Sequence, residues 1–336
     1  MQNAALFEHA YHMVPLHEAR ILVTGGAGFI GSNITQYLLH HGAGRVRVLD
    51  NLSNGFLRNI DEFKNHPAFE FMEGDITRPE DCARACDGMT HLCHQAALGS
   101  VPRSIKNPIA THEANTTGFL NILLAARDAG IRRIVYASSS SVYGDSTQSP
   151  KQEANTGNPL SPYAVSKLTN ELYAGVFHRN YGMDLIGLRY FNVYGPNQDP
   201  SGPYAAAIPL FLNALINQQE AVIYGDGEQT RDFTFVENAV QANVLALFTE
   251  NHKALNTVYN VAVGENITVN RLYQTLASIT GGEAKPKHIS ERAGDIRNSL
   301  ADIQLASSLL GYSPRFNLEA GLRITADWFR KTYNHV

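Results

Sequence analysis

The stretch Thr24-Gly25-Gly26-Ala27-Gly28-Phe29-Ile30-Gly31 follows a short apolar run directly and opens a segment with helical periodicity. Gly25 suits a tight turn after a strand, Gly28 lets the backbone approach a pyrophosphate, and Gly31 permits close packing of helix on strand. Free N–H groups and the partial positive charge at the helix N-terminus then attract phosphates. The stretch predicts a strand–turn–helix unit that binds a dinucleotide, with a purely structural glycine turn as the alternative.

Asp50 extends this predicted site, since it ends the second predicted strand nineteen residues after Gly31. A carboxylate at that position accepts hydrogen bonds from the adenosine ribose and repels a 2′-phosphate, which favours NAD over NADP. A turn residue beside Asn51 is the alternative interpretation. Asp75, after the third predicted strand, is a further candidate on the adenine side.

The first two-thirds of the chain alternates short β-branched runs with longer amphipathic ones, which is typical of a parallel sheet with helical crossovers. The predicted strands are Ile21–Thr24, Arg45–Leu49, Phe69–Glu73, His91–His94, Ile134–Ser138 and Leu185–Arg189. Helices are predicted to begin near Gly28, Pro79, Asn107 and Pro162. This order predicts an α/β fold with a doubly wound parallel sheet of the Rossmann type, whose ligand site lies at the carboxyl ends of the strands.

The pattern changes after Gly195, where prolines and short elements replace the regular alternation. We therefore expect an N-terminal extension at residues 1–19, a Rossmann domain at 20–195, and a smaller substrate-binding lobe at 196–336. Later segments are expected to complete the sheet.

Charge and composition restrict the class of partner. A formal net charge of -4 and a pI near 6.3 argue against non-specific binding of nucleic acid. The longest apolar stretches, such as Val244–Phe248, are too short to cross a bilayer, and residues 1–19 lack the apolar run of a signal peptide. Cys82, Cys86 and Cys93 lack metal-site spacing, which predicts reduced thiols, no metal and a cytoplasmic protein.

A candidate proton-transfer site begins at Tyr163 and Lys167, which lie at i and i+4 on one face of a predicted helix. Ser161 and Pro162 fit the N-cap and first turn of that helix. A neighbouring ammonium and an oxidised nicotinamide would both lower the pKa of the phenol, which predicts a general base. The run Ser138–Ser141 at the fifth strand end would supply a bridging hydroxyl, with a polar loop as the alternative.

Together with the stretch Arg189-Tyr190-Phe191-Asn192, these motifs resemble the extended short-chain dehydrogenase/reductase family over residues 20–328. Within that family the chain is most similar to UDP-hexose 4-epimerases, and residues 94–104 and 161–165 resemble the branch acting on UDP-N-acetylglucosamine and UDP-N-acetylgalactosamine. The resemblance implies tightly held NAD and reversible inversion of C4 through a 4-keto sugar. It also implies a homodimer built from helices near Asn107–Asp128 and Pro162–Tyr181, and suggests surface polysaccharide synthesis.

Carried over by position, the resemblance implies that Ser139, Tyr163 and Lys167 are catalytic, although adjacent serines leave the register of Ser139 open by one. The implied NAD-binding residues are Gly25, Gly28, Phe29, Ile30, Gly31, Asp50, Asn51, Asn54, Gly55, Asp75, Ile76, Gln95, Ala96, Ala97, Asn115, Tyr163, Lys167 and Tyr190. The implied substrate-binding residues are Ser100, Arg103, Ser140, Ser141, Tyr163, Asn192, Ala206, Val222, Tyr224, Arg231, Arg292, Asp295 and Ser299. Among these, Arg231 and Arg292 would clamp the diphosphate and Asp295 would hold the uridine ribose.

The residues after Ser139 separate the reactions found in the family. The 4,6-dehydratases carry an Asp-Glu pair there and the UDP-glucuronate decarboxylases typically carry a Glu, whereas this chain has Ser140 and Ser141. Epimerisation needs no further acid or base, so we expect an epimerase.

Substrate size is the remaining choice. A tyrosine takes the place of Ser299 in relatives restricted to UDP-glucose and UDP-galactose, and an asparagine often takes that of Ala206; the smaller residues predict room for a 2-acetamido group. Gly99 replaces a lysine found near the phosphates in that branch. One alternative is epimerisation of UDP-hexuronic acids, in which Arg103 or Ser104 would contact the sugar carboxylate. The others are epimerisation of UDP-glucose and UDP-galactose, and a protein that senses NAD without catalysis.

Overall fold

The structure, a computed structural model, describes residues 6–200, 206–291 and 297–333. Its strands are β1 Arg20–Thr24, β2 Arg45–Asp50, β3 Phe69–Glu73, β4 His91–His94, β5 Arg133–Ser139, β6 Asp184–Tyr190, β7 Val193–Tyr194, β8 Val222–Tyr224, β9 Thr230–Arg231, β10 Thr234–Phe235, β11 Val258–Val261, β12 Ile267–Thr268 and β13 Lys287–Ile289. Its helices are α1 Phe29–His40, α2 Pro79–Cys86, α3 Val101–Lys106, α4 Pro108–His112, α5 Gly118–Asp128, α6 Pro162–Tyr181, α7 Ala207–Ile216, α8 Val236–Phe248, α9 Val269–Thr280, α10 Gln304–Leu310 and α11 Leu318–Tyr333.

A seven-stranded parallel sheet forms the centre of the molecule, in the order β11-β6-β5-β4-β1-β2-β3. The order reverses between β1 and β4, so the carboxyl ends of these strands open a crevice at that point. The predicted α/β, doubly wound fold is confirmed, and the six predicted strands are observed with ends that agree to within one residue. The seventh strand, β11, comes from the region beyond residue 195.

Helices cover both faces of the sheet, as burial of a parallel sheet requires. On one face α1, α8 and α10 bury a core with apolar side chains of β1, β2 and β11. On the other face α2, α5 and α6 bury a second core that contains Cys82 and Cys86. A third core, between α7, α9 and α11, forms the smaller lobe beside the strand ends.

The N-terminal segment lies on the first face. Phe7, Tyr11 and Leu16 are buried in the core of α1 and α8. The Tyr11 hydroxyl donates to Glu237 of α8 at 2.9 Å, and its backbone N–H donates to the Tyr37 hydroxyl of α1 at 2.7 Å. The segment thus links α1 to α8 through these two hydrogen bonds.

The helix predicted to run from near Asn107 to Asp128 is wrong in detail. Asn107 caps a separate helix, α4, by accepting from the Ala110 N–H, and a π-helical turn at Glu113–Thr117 joins α4 to α5. Helix α3, whose N-cap is Ser100, was not predicted. Prolines at the second position of α3 and the first position of α4 restart the helix, because proline suits a first turn and interrupts an existing one.

Within the described part of the chain, none of the helices combines the length and the apolar character that a membrane span requires.

Candidate active site

The glycine loop between β1 and α1 has the shape that a dinucleotide phosphate site requires. Gly25 has φ +68°, and a Cβ there would lie 2.7 Å from the backbone nitrogen of Ala96. A Cβ on Gly31 would lie 2.2 Å from the Gly25 carbonyl oxygen, so α1 packs directly on the loop. The N-cap of α1 is Gly28 and no side chain caps it, which leaves the N–H groups of its first turn, including those of Phe29 and Ile30, available to an anion. These residues fit a pyrophosphate.

Asp50 lies beside this loop at the end of β2. Its carboxylate accepts from the backbone N–H of Ala27 at 3.0 Å and of Leu52 at 2.8 Å, and burial raises its pKa. A Cβ on Gly55 would come within 2.9 Å of both carboxylate oxygens. The carboxylate is therefore fixed where the predicted ribose would lie.

Polar loop residues continue the cofactor side. Asn51 donates to Asp75 at 2.8 Å, which joins the loops after β2 and β3, and the hydrogen bonds that Asp75 accepts from Thr77 and Asn51 hold its pKa low against burial. Arg103 of α3 donates to Asn54 at 2.7 Å, so a residue predicted for the substrate touches one predicted for the cofactor.

The loop after β4 is held in place by hydrogen bonds to distant residues. Gln95 accepts from the Tyr190 hydroxyl at 3.0 Å and donates to Asn243 of α8 at 3.0 Å, and Asn243 donates to the same hydroxyl at 2.8 Å. Asn115, on the π-turn, exchanges hydrogen bonds with the Leu98 backbone and donates to Ser166.

Three other predicted cofactor residues lie around this loop. The backbone N–H of Ala96 donates to the Thr24 hydroxyl, and Ala97 follows it, half-buried. Ile76 packs in the second core against Gly118.

Tyr163 lies in the first turn of α6 and faces the end of β5. Its helix begins sharply because Ser161 accepts from the Ala164 N–H and Pro162 takes the first position. Desolvation raises the pKa of Tyr163, and the Ser139 side chain, which faces the phenol, lowers it by less. Ser138, one residue earlier, points to Glu171, as the alternation of side chains along a strand requires.

Lys167 lies one turn after Tyr163 and is buried. Its Nζ donates to the Ala137 carbonyl oxygen at 2.8 Å and lies 5.9 Å from the centre of the Tyr163 ring. Burial lowers the pKa of Lys167 to about 8, against the raising effect of Glu171. Burial of the phenol acts in the opposite direction, so the lowering of the tyrosine pKa expected from Lys167 together with an oxidised nicotinamide stays a prediction.

Ser140 and Ser141 begin a short 3₁₀ turn after β5. The Ser141 backbone N–H donates to the Ser139 hydroxyl, whereas its own hydroxyl oxygen is buried without a hydrogen-bond partner among the described residues. A buried hydroxyl of this kind is available to a ligand.

In the smaller lobe, strand β9 brings Arg231 beside Ser299. The Ser299 N–H donates to the Thr230 carbonyl oxygen at 3.2 Å, and the Arg231 guanidinium donates to the same oxygen at 2.9 Å. Asp232 is fully buried, accepts from the N–H groups of Val263, Gly264 and Ala301, and has a pKa raised to about 6 by desolvation.

The other predicted substrate residues are distributed around these. Asn192 has φ +34° and donates to the Asp232 carbonyl oxygen, and Ser100 caps α3 with φ +107°. Ala206 is the exposed N-cap of α7, and Val222 and Tyr224 are partly exposed on β8. Arg292 and Asp295 lie outside the described residues.

Sequence reasoning missed Glu171, Asn243 and Asp232. Glu171 lies four residues after Lys167, a spacing that could have placed it on the same helix face. Asn243 and Asp232 carried no signal, because each acts through partners distant in the sequence.

The comparisons with known proteins agree with this geometry. The family model described as "NAD dependent epimerase/dehydratase family" matches residues 21–262. The chain is 36% identical over 313 residues to a UDP-glucose 4-epimerase of Mycolicibacterium smegmatis, covering 93% of this chain and 98% of that protein.

Two solved structures are also similar to the chain. A UDP-N-acetylglucosamine 4-epimerase from Methanobrevibacter ruminantium, in complex with UDP-N-acetylmuramic acid, is 38% identical with a TM-score of 0.88, over 94% of this chain and 99% of that one. A UDP-glucuronic acid 4-epimerase from Bacillus cereus, in complex with UDP-glucuronic acid and NAD, is 31% identical with a TM-score of 0.87, over 94% and 100%. The chain therefore belongs to the NAD dependent epimerase/dehydratase family, and NAD is its cofactor.

Proposed function

We propose that UDP-N-acetylglucosamine, in reversible exchange with UDP-N-acetylgalactosamine, is the favoured substrate pair of this NAD-dependent UDP-sugar 4-epimerase. Membership of the family does not determine the sugar, because relatives of similar identity act on UDP-glucose and UDP-glucuronic acid.

One observation carries the choice of an N-acetylated sugar. Ser299 is half-buried and its backbone is bonded to Thr230, beside the arginine proposed to clamp the diphosphate. A side chain at this position therefore lies near the place where the sugar would be joined to the diphosphate. A serine there leaves open the volume that a tyrosine ring would fill. The exposed Ala206 at the start of α7 supports the same interpretation with less weight.

The proton chemistry follows from the chain's own groups. Tyr163 takes the proton of the 4-hydroxyl, and Ser139, which faces the phenol, orients or relays it. Lys167 places an ammonium one helical turn behind the phenol, where it favours the phenolate. After the 4-keto sugar turns its other face, Tyr163 returns the proton to the same oxygen.

Bound NAD supplies reversible acceptance and return of the C4 hydride. The glycine loop and Asp50 would hold its pyrophosphate and ribose, and Tyr190, fixed by Gln95 and Asn243, would lie beside the nicotinamide. Epimerisation returns the cofactor unchanged, so the chain needs tight contacts to NAD and to the diphosphate and looser contacts to the sugar.

We also propose that the chain forms a homodimer through α6 and the adjoining α3 and α4. Helix α6 exposes Val165, Leu172 and Val176 by 52%, 65% and 40%. Their spacing places them along one side of the helix. Ile105 and Ile109, which are 63% and 70% exposed, lie on the helices packed against it. A contiguous apolar patch of this kind indicates a protein interface.

Cytoplasmic location and a role in surface polysaccharide synthesis stay predictions.

The substrate proposal is tested by comparing kcat/KM for UDP-N-acetylglucosamine, UDP-glucose and UDP-glucuronic acid with the same purified protein. The highest value for the N-acetylated sugar is expected. A higher value for the uronate would replace the proposal with the second candidate, and a higher value for UDP-glucose would remove the proposed role of Ser299.

A further inference from the structure

We propose that Glu171 is a positioning residue of the epimerase, which holds the proton-transfer groups of α6, β5 and β6 in register. The inference rests on the roles proposed for Tyr163, Ser139 and Lys167, and extends them to a carboxylate that touches none of the reacting atoms.

The Glu171 carboxylate is shared by two buried partners. Arg189 donates to it through two parallel hydrogen bonds, Nε to Oε1 at 2.9 Å and Nη2 to Oε2 at 2.7 Å. The side chains of Arg189 and Glu171 are only 5% and 8% exposed. The Ser138 hydroxyl donates to Oε1 at 2.5 Å. Charge-assisted bonds of this fork geometry fix both distance and orientation.

Each of these residues is next to a proposed site residue. Ser138 precedes Ser139, which faces the Tyr163 phenol, and Arg189 precedes Tyr190. Glu171 itself follows Lys167 by one helical turn. Because neighbouring strand residues point to opposite sides, holding Ser138 on Glu171 fixes the side on which Ser139 emerges. One carboxylate thereby joins the helix that carries the base to the strands that carry the hydroxyl and the predicted nicotinamide contact.

The charge of Glu171 also acts on Lys167. The titratable groups that face Lys167 are Glu171 and Tyr163 on its own helix and His94 on β4, and the pKa of His94 is lowered to about 3 by burial, so that it is neutral. Glu171 in turn faces Arg189 on β6 and Tyr136 on β5. The carboxylate is thus the negative charge that favours the ammonium of Lys167 against desolvation.

A buried ion pair is weak support for a purely stabilising role. Desolvation of both charges offsets much of their attraction, and apolar replacements are often at least as stable. A role in orientation accounts better for a buried carboxylate that serves three elements at once.

The test compares Glu171→Gln with Glu237→Gln, a matched control. Glu237 is also buried and hydrogen-bonded, but it lies on α8, on the opposite face of the sheet from α6. For E171Q we expect kcat to fall roughly 10- to 100-fold, as for loss of a well-placed proton-transfer geometry. KM should change little, bound NAD should be retained, and the alkaline limb of the kcat profile should move to lower pH because Lys167 loses its proton more readily. For E237Q we expect lower thermal stability with an unchanged pH profile.

Two further variants keep the inference falsifiable. Ser138→Ala retains the ion pair and should lower kcat without moving the alkaline limb. If E171Q does not fold because Arg189 is left unpaired, the neutral double variant E171Q/R189Q carries the same test and should show the same shift. An alkaline limb identical to that of wild type in the folded Glu171 variant, with kcat equal to that of E237Q, would overturn the proposal. Tyr163→Phe distinguishes failure of the proposed active site from failure of the positioning role. Activity in Y163F refutes the proposed site. An inactive Y163F together with E171Q of wild-type activity and pH profile refutes only the positioning role of Glu171.

Discussion

The phenol of Tyr163 and the hydroxyl of Ser139 face each other across the junction of α6 and β5. The neighbouring Ser138 points the other way, to Glu171. This relationship supports Ser139, out of the run of four serines, as the proposed catalytic hydroxyl. It supplies the pair of groups that a proton transfer to and from a sugar hydroxyl requires.

Tyr163→Phe should stop epimerisation while leaving the fold and the bound NAD intact. The phenol oxygen is the proposed base, and removal of a positioned acid or base lowers rates by roughly 10²- to 10⁴-fold. Separation of the two epimers by chromatography gives the rate, and the absorbance of dinucleotide released on denaturation gives the NAD content. Turnover at the wild-type rate would show that another group moves the proton.

The activity should fall as the pH rises through about 8, because burial lowers the pKa of Lys167 to about 8 and the ammonium is the useful form. Kcat measured between pH 6 and 10 checks this. Lys167→Met should be inactive throughout, while Lys167→Arg should lose the alkaline limb if it retains activity.

The same shift predicts a change in stability with a definite sign. The folded-state pKa of Lys167 lies below its ordinary value of 10.5, so the unfolded chain binds the proton more tightly. Burial of the ammonium therefore costs stability below about pH 8, and this cost disappears towards pH 10.5. Between those values the Tm of the wild type should rise relative to that of Lys167→Met. A constant difference in Tm would contradict the shift.

Ser299→Tyr should lower turnover of UDP-N-acetylglucosamine by on the order of 100-fold or more while sparing UDP-glucose, because an added ring excludes the acetamido group sterically. Ser299→Ala is the matched control, since it removes the hydroxyl without adding volume. Paired kcat/KM values for the two sugars measure the effect. Equal losses for both sugars would show a general disturbance of the site and would remove the size argument.

Leu172→Glu should dissociate the proposed dimer, because it places a charge in the middle of the exposed apolar side of α6. Light scattering coupled to size exclusion reports the mass. Met13→Glu is the matched control, because it introduces the same charge at a residue that is 96% exposed and lies away from α6. This variant should leave the mass unchanged. A wild-type protein that is already monomeric at micromolar concentration would refute the dimer.

The sequence predicted the fold well because its signals are local. The glycine loop, the strand runs and the capped start of α6 at Ser161 and Pro162 each depend on residues close together in the chain. The resemblance to a family then supplied roles for residues far apart, and those roles stay predictions.

Other features depend on contacts that no local pattern shows. Asn243 meets Gln95 and Tyr190 from α8, 148 residues beyond Gln95. The pKa of Tyr163 depends on how deeply the folded chain buries its phenol, which no local pattern in the sequence shows. The new helix start at Asn107 could not be predicted, because it depends on the hydrogen bond that the Asn107 side chain accepts from the Ala110 N–H.

The most direct test is to incubate the purified protein with UDP-N-acetylglucosamine, without added NAD, and to follow both the epimers and the absorbance at about 340 nm. Because the hydride leaves and returns to C4 while the proton leaves and returns to the 4-hydroxyl oxygen, UDP-N-acetylgalactosamine should form with about one NAD retained per chain and no growing NADH signal. A protein that carries no dinucleotide yet epimerises the sugar, or one that accumulates NADH in step with product, would contradict the mechanism.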